Sequence, residues 1–167
     1  IIQLSKLEEG HGEFPVEEVD ICELTEDIRK TLEHAAQKKD IKVTVDGEGI
    51  MLDGVRQILY EMFYNLMDNG IKYTVEHGWM KVHIGREQGK IFWQVEDGGI
   101  GIAQEDQERI YERFYRVDKS HSRQTGGTGL GLSIVKHGAM MHQAVITTES
   151  EPGQGTRITL EFPENEE

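Results

Sequence analysis

Apolar residues recur at three- and four-residue spacing in two long stretches of the chain. The first stretch carries Ile21, Leu24 and Ile28 at this spacing, and the second carries Ile58 and Met62. Such spacing places the apolar side chains on one face of an α-helix. A third apolar run follows a glycine-rich segment. The pattern predicts helices over about 20–38, 53–73 and 130–141.

Shorter stretches alternate between apolar and polar residues, which is typical of half-buried strands. Turn residues at Gln88-Gly89 and Pro152-Gly153 join two pairs of these stretches, and strands joined by short turns pair antiparallel. We therefore predict a mixed sheet with helices packed on one face, an α/β fold class in the form of an α+β two-layer sandwich. The predicted strands cover about 14–16, 41–45, 79–85, 90–96, 144–149 and 155–162.

Composition and charge narrow the classes of function. The 167 residues are enough for one domain with a sizeable core, and no run of 18 apolar residues predicts a membrane span. The net charge of -13 argues against nucleic acid as the main partner. Lys and Arg nevertheless cluster over 109–123, which suits a small anionic ligand or, equally, a solvated loop. The lone Cys22 cannot form an internal disulfide, which is compatible with a reducing compartment.

The segment Asn65–Thr74 carries the first candidate site. Asn65 and Asn69 are four residues apart and share one helix face, with Lys72 one turn further along. Amide oxygens suit hard cations such as Mg²⁺ without adding a charge that would repel phosphate, and Lys72 supplies a point charge for phosphate. A solvated helix face is the alternative interpretation of the same residues.

The segment Val95–Ile102 carries the second candidate site. An apolar strand ends at Asp97, and glycines follow at once. A carboxylate in this position can accept a hydrogen bond from an exocyclic amine such as that of adenine, and Gly99 and Gly101 leave room for a flat ring. Taken alone, a strand followed by an Asp-Gly turn is the simpler explanation.

About thirty residues with little pattern run from 98 to 128, a length typical of a lid or binding loop. Within them, the aromatic residues of Ile110–Arg116 could pack the loop onto the core while Arg116 reaches phosphate; a short amphipathic helix is the alternative. The loop closes on Gly126–Gly131, which leads directly into an apolar helix. Backbone N–H groups at a helix start can receive phosphate, although a plain glycine turn would look the same.

These segments, in this order and at this spacing, resemble the motifs of the catalytic and ATP-binding domain of bacterial sensor histidine kinases, over about residues 14–163. The resemblance implies a GHKL (Bergerat) ATP-binding fold, shared with gyrase, heat-shock ATPase chaperones and mismatch-repair ATPases, with an ATP lid over about 98–128. The matching segments are Asn65–Thr74 for the N box, Asp97–Gly101 for the G1 box, Arg113–Arg116 for the F box, Gly127–Leu132 for the G2 box and Glu149–Thr156 for the closing hairpin.

The resemblance also implies roles for individual residues toward ATP and Mg²⁺. Asn69 would be the magnesium ligand, Asn65 and Lys72 the catalytic residues beside the phosphates, and Asp97 the residue that recognises the adenine amino group. In hydrolytic relatives a glutamate general base stands near the position of Asn65. Because an amide cannot take a proton at neutral pH, this substitution favours phosphoryl transfer over hydrolysis. The implied nucleotide-binding residues are Asn65, Asn69, Lys72, Tyr73, Asp97, Gly99, Gly101, Ile102, Phe114, Arg116, Gly127, Thr128, Gly129, Leu130 and Gly131.

The resemblance further implies partners outside this chain. The family's phosphoacceptor histidine lies in a His-Glu-Leu-Arg-Thr-Pro-like setting on an upstream helical hairpin, and no such setting occurs here. Residues 1–13 resemble the end of that hairpin with its linker, and 14–167 the catalytic ATP-binding domain. We expect transfer of the γ-phosphoryl group of Mg-ATP to a histidine on a separate dimerisation domain, which then serves a response regulator. The resemblance implies a cytoplasmic domain, monomeric when isolated, in a membrane-anchored and homodimeric parent.

Two other functions fit the same motifs: a GHKL kinase that acts on serine, and a nucleotide-sensing interaction module without phosphoryl transfer. The apparent helix remnant before Gly10 argues against the serine kinase, because it implies a linked dimerisation hairpin. The sequence also departs from the family at Gly70, where alanine is usual. This glycine is expected to loosen its helix by up to ~1 kcal/mol.

Overall fold

The structure, a computed structural model, describes residues 14–112 and 131–164. Three helices and seven strands alternate along this part of the chain, and two short 3₁₀ turns, Gln104–Asp106 and Arg109–Tyr111, precede α3. The elements are β1 (Glu17–Asp20), α1 (Ile21–Lys38), β2 (Lys42–Asp46), β3 (Met51–Gly54), α2 (Arg56–Tyr73), β4 (Trp79–Glu87), β5 (Lys90–Asp97), α3 (Gly131–Met141), β6 (Val145–Glu151) and β7 (Gly155–Pro163).

Five of the strands form one mixed sheet in the order β2-β4-β5-β7-β6. Strand β2 runs parallel to β4, and the chain between them crosses over through α2, as a parallel pair requires. The remaining neighbours pair antiparallel, and β4 joins β5 through a tight turn in which Gln88 and Gly89 have φ of 51° and 75°. The predicted mixed sheet is confirmed.

The helices cover one face of this sheet. Along β4, Met80, Val82 and Ile84 are buried, while the residues between them are exposed. The buried side chains meet the apolar faces of the helices, and the core is centred on Phe63 of α2, whose ring stacks on Trp93 of β5 with centroids 4.6 Å apart. This arrangement is the predicted two-layer sandwich. Within the described residues, no helix is long and apolar enough to cross a membrane.

A separate two-stranded sheet of β1 and β3 differs from the prediction. The first strand lies at Glu17–Asp20 rather than 14–16, and β3 was not predicted. Strand β1 begins with two consecutive exposed glutamates, so apolar and polar residues do not alternate along it. Strand β3 ends in Asp-Gly, two residues that are unfavourable in strands. Pairing with each other stabilises both segments, and Asp20 then caps α1 by accepting from the N–H groups of Cys22 and Glu23, each at 3.0 Å.

The start of α2 also differs from the prediction, which placed it at Asp53. The helix begins at Arg56, and its N-cap residue Val55 makes no side-chain cap. Instead, the Val55 N–H donates to Nε2 of His142 at 3.0 Å, while Nδ1 of the same ring faces the Gly138 carbonyl at 2.8 Å. Burial lowers the pKa of His142, which keeps Nε2 available as an acceptor. A cap supplied from 87 residues away leaves no local signal.

Candidate functional site

The candidate site forms where the second half of α2 meets the end of β5. Asn65, Asn69 and Lys72 follow one side of α2 and are half-buried. Gly70 lies on the side of the helix that faces the sheet, and a Cβ atom there would be 3.8 Å from Oδ2 of Asp97. The predicted first and second sites are therefore neighbours in the structure.

Asp97 ends β5 on the inner face of the sheet, directly opposite Met80 of β4 and Thr156 of β7. Its Oδ1 accepts the backbone N–H of Gly99 at 2.8 Å. Burial raises the pKa of Asp97 to about 6. The N–H groups of Gly99 and Thr156 oppose this rise, and the charge of Glu96 adds to it. A half-buried carboxylate of this kind is a strong acceptor for an amine donor.

The loop after Asp97 packs directly against the end of α2. The N–H of Ile100 donates to the carbonyl of Tyr73 at 3.2 Å. A Cβ at Gly99 would collide with that carbonyl and would lie 2.9 Å from Cα of Thr74. Because only a glycine allows this approach, the G1-like loop and the N-box-like helix are held in backbone contact.

The other side of this loop is clasped by the β6–β7 hairpin. Gly101 has φ of +75°, and a Cβ there would overlap the carbonyl group of Glu151. The N–H of Gly153 donates to the carbonyl of Ile100 at 2.7 Å. Both the positive φ and the close approach require glycine at position 101.

Two polar side chains that the sequence analysis did not single out hold this clasp together. Oγ of Ser150 accepts the N–H of Ile102 at 2.7 Å and also bonds the carbonyl of Gly155 at 2.8 Å. The amide of Gln107 donates to the carbonyl groups of Ile102 and Ser150, at 3.0 and 2.9 Å. The bonds from Ser150 to Ile102 and from Gln107 to Ser150 join residues more than 40 apart in sequence, so spacing alone could not have identified them.

The described part of the predicted lid, residues 98–112, makes specific contacts with the sheet. Residues 98–112 contain the two 3₁₀ turns, and the buried hydroxyl of Tyr111 bonds Oγ1 of Thr148 on β6 at 2.8 Å. Burial raises the pKa of Tyr111 to about 12, so this hydroxyl stays neutral. The first part of the segment is thus fixed to the sheet.

Asn65 connects α2 to the last glycine of the G2-like motif. Its Nδ2 donates to the carbonyl of Glu61 at 2.6 Å, and its Oδ1 would lie 2.7 Å from a Cβ at Gly131. Gly131, the first residue of α3, therefore packs against the side-chain amide of Asn65. Further along α2, Nζ of Lys72 pairs with Oδ2 of Asp68 at 2.9 Å.

Part of the predicted site lies outside the described residues. This holds for the second part of the predicted lid, 113–128. The N-terminal segment 1–13, predicted as the end of a hairpin with its linker, also lies outside the described residues. The predicted nucleotide-binding residues in the same position are Phe114, Arg116, Gly127, Thr128, Gly129 and Leu130. The predicted site residues that the structure describes are Asn65, Asn69, Lys72, Tyr73, Asp97, Gly99, Gly101, Ile102 and Gly131. Among them, Gly99 packs against Tyr73 and Gly131 packs against Asn65.

The described residues fit an adenine nucleotide at both ends. At one end, Asp97 supplies an acceptor beside Gly99, and the buried hydroxyl of Thr74 has no hydrogen-bond partner among the described residues. At the other end, Asn65 and Asn69 offer amide oxygens and Lys72 an ammonium group. Amide oxygen is a suitable ligand for Mg²⁺ that is already bound by phosphate.

Comparison with known proteins agrees with this geometry. The sequence profile of the family described as histidine kinase-, DNA gyrase B-, and HSP90-like ATPase matches residues 54–166. The chain is 39% identical over 165 residues to sensor-like histidine kinase SenX3 of Mycolicibacterium smegmatis, which covers 98% of this chain and 43% of that protein. The chain therefore spans less than half the length of this curated relative.

Solved structures show the same fold. The catalytic domain of histidine kinase ThkA, in a nucleotide-free form, matches with a TM-score of 0.78 and 25% identity, covering 90% of this chain and 96% of that chain. The mycobacterial sensor histidine kinase MprB matches with a TM-score of 0.75 and 26% identity, covering 89% and 97% of the two chains. Each match covers about nine-tenths of this chain.

Gly70 has a packing reason that the sequence did not reveal. A Cβ at this position would lie 2.6 Å from Sδ of Met80, which is fully buried. We expect Gly70→Ala to destabilise the domain by about 1 kcal/mol, because overpacking of roughly 1–3 kcal/mol outweighs the ~1 kcal/mol gain in helix propensity. Chemical denaturation measures this change.

A double-mutant cycle with Met80→Val provides the control. The smaller valine makes room for the new methyl group, so Gly70→Ala should become stabilising in that background, with a coupling energy of about 1 kcal/mol or more. Additive effects of the two substitutions would show that the Gly70–Met80 contact does not decide the residue at position 70.

Proposed function

We propose that this chain, which belongs to the histidine kinase-, DNA gyrase B- and HSP90-like ATPase family, transfers the γ-phosphoryl group of Mg-ATP to a histidine on a separate dimerisation domain. The observation that carries the proposal is the half-buried Asp97 carboxylate, which lies beside the α2 helix that bears Asn65 and Asn69. One end of the site thus suits a base with an exocyclic amine, and the other suits phosphate with a cation.

At the adenine end, Asp97 would accept a hydrogen bond from the exocyclic amine. The N–H of Gly99 already satisfies one lone pair of Oδ1, which fixes the carboxylate, and a Cβ at Gly99 would lie only 2.7 Å from that oxygen. Gly101 and Ile102 would shape the pocket wall, since their backbone is clasped to the β6–β7 hairpin.

At the phosphate end, Asn69 would hold Mg²⁺, which would neutralise charge on the phosphates when bound. Lys72 would bind phosphate after its ammonium group leaves or shares Asp68, and Tyr73 would contact phosphate or ribose. The glycine-rich residues Gly127, Thr128, Gly129, Leu130 and Gly131, with Phe114 and Arg116, would complete the phosphate side as parts of the lid.

Asn65 favours transfer over hydrolysis. Its Nδ2 is engaged by the Glu61 carbonyl and its Oδ1 is directed toward Gly131, so the side chain is oriented at the phosphate end. An amide cannot accept a proton from water at neutral pH, so this position cannot serve as a general base. The protein would then contribute mainly positioning and electrostatic stabilisation.

The proposed roles of the rest of the protein rest on the greater length of the relative SenX3. SenX3 extends well beyond this chain, which covers 43% of it. We infer that residues 1–13 end a dimerisation hairpin and 14–167 form the catalytic domain. The hairpin histidine would pass its phosphoryl group to a response regulator, in a homodimeric, membrane-anchored parent whose catalytic domain is cytoplasmic and monomeric when isolated.

A transfer assay tests this function. The chain is mixed with ATP labelled at the γ-phosphate, Mg²⁺ and the parent's dimerisation hairpin supplied as a separate polypeptide. We expect an acid-labile, alkali-stable label on the hairpin, as phosphohistidine gives. Asp97→Asn and Asn69→Asp should each lower the labelling rate by roughly a hundredfold. The first replaces the carboxylate that accepts from the adenine amine, and the second adds a negative charge that repels the phosphates.

Asp53→Asn, the same chemical change at an exposed strand residue, serves as the matched control. It should label the hairpin at the same rate as the unsubstituted chain. An acid-stable label would instead indicate a serine acceptor. ATP binding without any label would indicate a nucleotide-sensing module, and either result would contradict the proposed transfer.

The pKa of Asp97 gives a second test. The carboxyl should titrate near pH 6 in the free protein, because burial disfavours its charge. A bound amine donor favours the ionised form, so saturating Mg-ADP should lower this pKa by at least about one unit. By linkage, nucleotide affinity should fall as the pH drops below about 6.

Carbon-detected NMR of the side-chain carboxyl groups measures both values, with Asp97→Asn identifying the resonance. An unchanged pKa on saturation with nucleotide would show that Asp97 does not contact the base.

A further inference from the structure

Lys39 makes an unusual set of contacts at the far side of the site. Its Nζ donates to three backbone carbonyl groups at the end of α2: those of Ile71 at 2.8 Å, Lys72 at 3.0 Å and Thr74 at 2.7 Å. An ammonium group has three donors, and here all three are used. Lys39 lies more than 30 residues away in sequence, so this is a tertiary helix cap.

The end of α1 directs Lys39 toward these carbonyl groups. The N–H of Asp40 bonds the Gln37 carbonyl at 3.0 Å and the N–H of Ile41 bonds the Ala36 carbonyl at 2.9 Å, the pattern of a Schellman motif. Asp40 adopts φ of 53°, as the motif requires. The backbone at Lys39 is therefore fixed.

The contacts complete the hydrogen bonding at the end of α2. A helix leaves its last carbonyl groups without partners inside the helix. Here the Gly70 carbonyl accepts from Thr74, and the Tyr73 carbonyl accepts from Ile100 in the loop after Asp97. Lys39 bonds the carbonyl groups on either side of Tyr73, so it orders the peptide units that receive this loop.

The charge of Lys39 suits this position. A cation near the C-terminus of a helix interacts favourably with the helix dipole. Burial lowers the pKa of Lys39, while the charge of Glu76 opposes this change. Because Lys39 is partly buried, its ammonium group exchanges hydrogen bonds to water for hydrogen bonds to carbonyl oxygens.

We infer that Lys39 is a positioning residue for the ATP site: by capping α2, it fixes Lys72 and Tyr73 and holds the Tyr73 carbonyl in place for the loop that carries Gly99. This inference rests on the proposed function. Lys39 itself would touch no part of the nucleotide.

The junction around Lys39 has other supports that its side chain does not provide. The Lys39 carbonyl accepts the N–H of His77 at 2.8 Å, and Nδ1 of His77 lies 2.8 Å from Oδ2 of Asp40. Removing the ammonium group should therefore loosen the end of α2 without unfolding the junction between α1 and β2.

The experiment compares Lys39→Met, Lys39→Arg and Lys38→Met by calorimetric titration with Mg-ADP. Lys38 is the exposed neighbour at the end of the same helix, so its substitution is a matched control. We expect Lys39→Met to weaken binding roughly tenfold, Lys39→Arg to recover most of that loss, and Lys38→Met to bind within about twofold of the parent.

A fourth variant separates positioning from general instability. Leu32 is buried in α1, seven residues before Lys39, so Leu32→Ala should lower the melting temperature yet leave the affinity for Mg-ADP unchanged. Amide hydrogen exchange adds a local signature: the Ile100 N–H should exchange faster in Lys39→Met and not in Lys38→Met or Leu32→Ala.

The outcomes are distinct. Binding by Lys39→Met equal to that of the parent, or an equal loss in Leu32→Ala, would overturn the inference. Absence of binding by the parent would instead overturn the proposed function. If Lys39→Met does not fold, Lys39→Gln, which keeps two N–H donors without the charge, takes its place with the same expected loss of affinity and the same exchange signature.

Discussion

The contact between the last turn of α2 and the loop after β5 is the one on which the rest of the site depends. Two backbone segments meet there through the Ile100 N–H and the Tyr73 carbonyl, with no side chain between them at Gly99. Because the contact is made by the backbone, it sets the distance from Asp97 to the polar stripe on α2. The clasp from the β6–β7 hairpin holds the loop, and the cap from Lys39 holds the end of α2.

The charge of Asp97 shows how this site balances stability against function. Its pKa rises from an ordinary value of 3.8 to about 6 in the folded protein, so the ionised carboxylate disfavours folding at neutral pH. The contribution of Asp97 to the stability of the folded state therefore becomes more favourable as the pH falls from about 6 toward 4. A carboxylate in a salt bridge has the opposite pH dependence. A ligand donor would relieve the same cost, which is how a destabilising group can add to affinity.

The sequence could predict those features whose causes are local. The apolar spacing located α1, and the alternation of apolar and polar residues located the strand that ends at Asp97. The errors fall where distant partners decide the structure. The start of α2 depends on His142, and β1 and β3 form only with each other.

Distant partners also decide the features of the site that the sequence did not reveal. Ser150 and Gln107 act through bonds across more than 40 residues, and Met80 occupies the space that Gly70 leaves open. Gly70 itself was expected only to loosen the helix, because propensity describes a residue without its neighbours. Family resemblance supplied the order of the motifs, whereas the contacts between them required the fold.

The most direct test of this account is the difference in affinity between ATP and inosine triphosphate, measured by calorimetry with Mg²⁺. The two nucleotides have the same ribose and phosphates, but inosine carries an oxygen where adenine carries its exocyclic amine. If Asp97 accepts a hydrogen bond from that amine, ATP should bind roughly a hundredfold more tightly, and Asp97→Asn should remove most of this preference. Equal affinity of the parent for both nucleotides would contradict the assignment of the site.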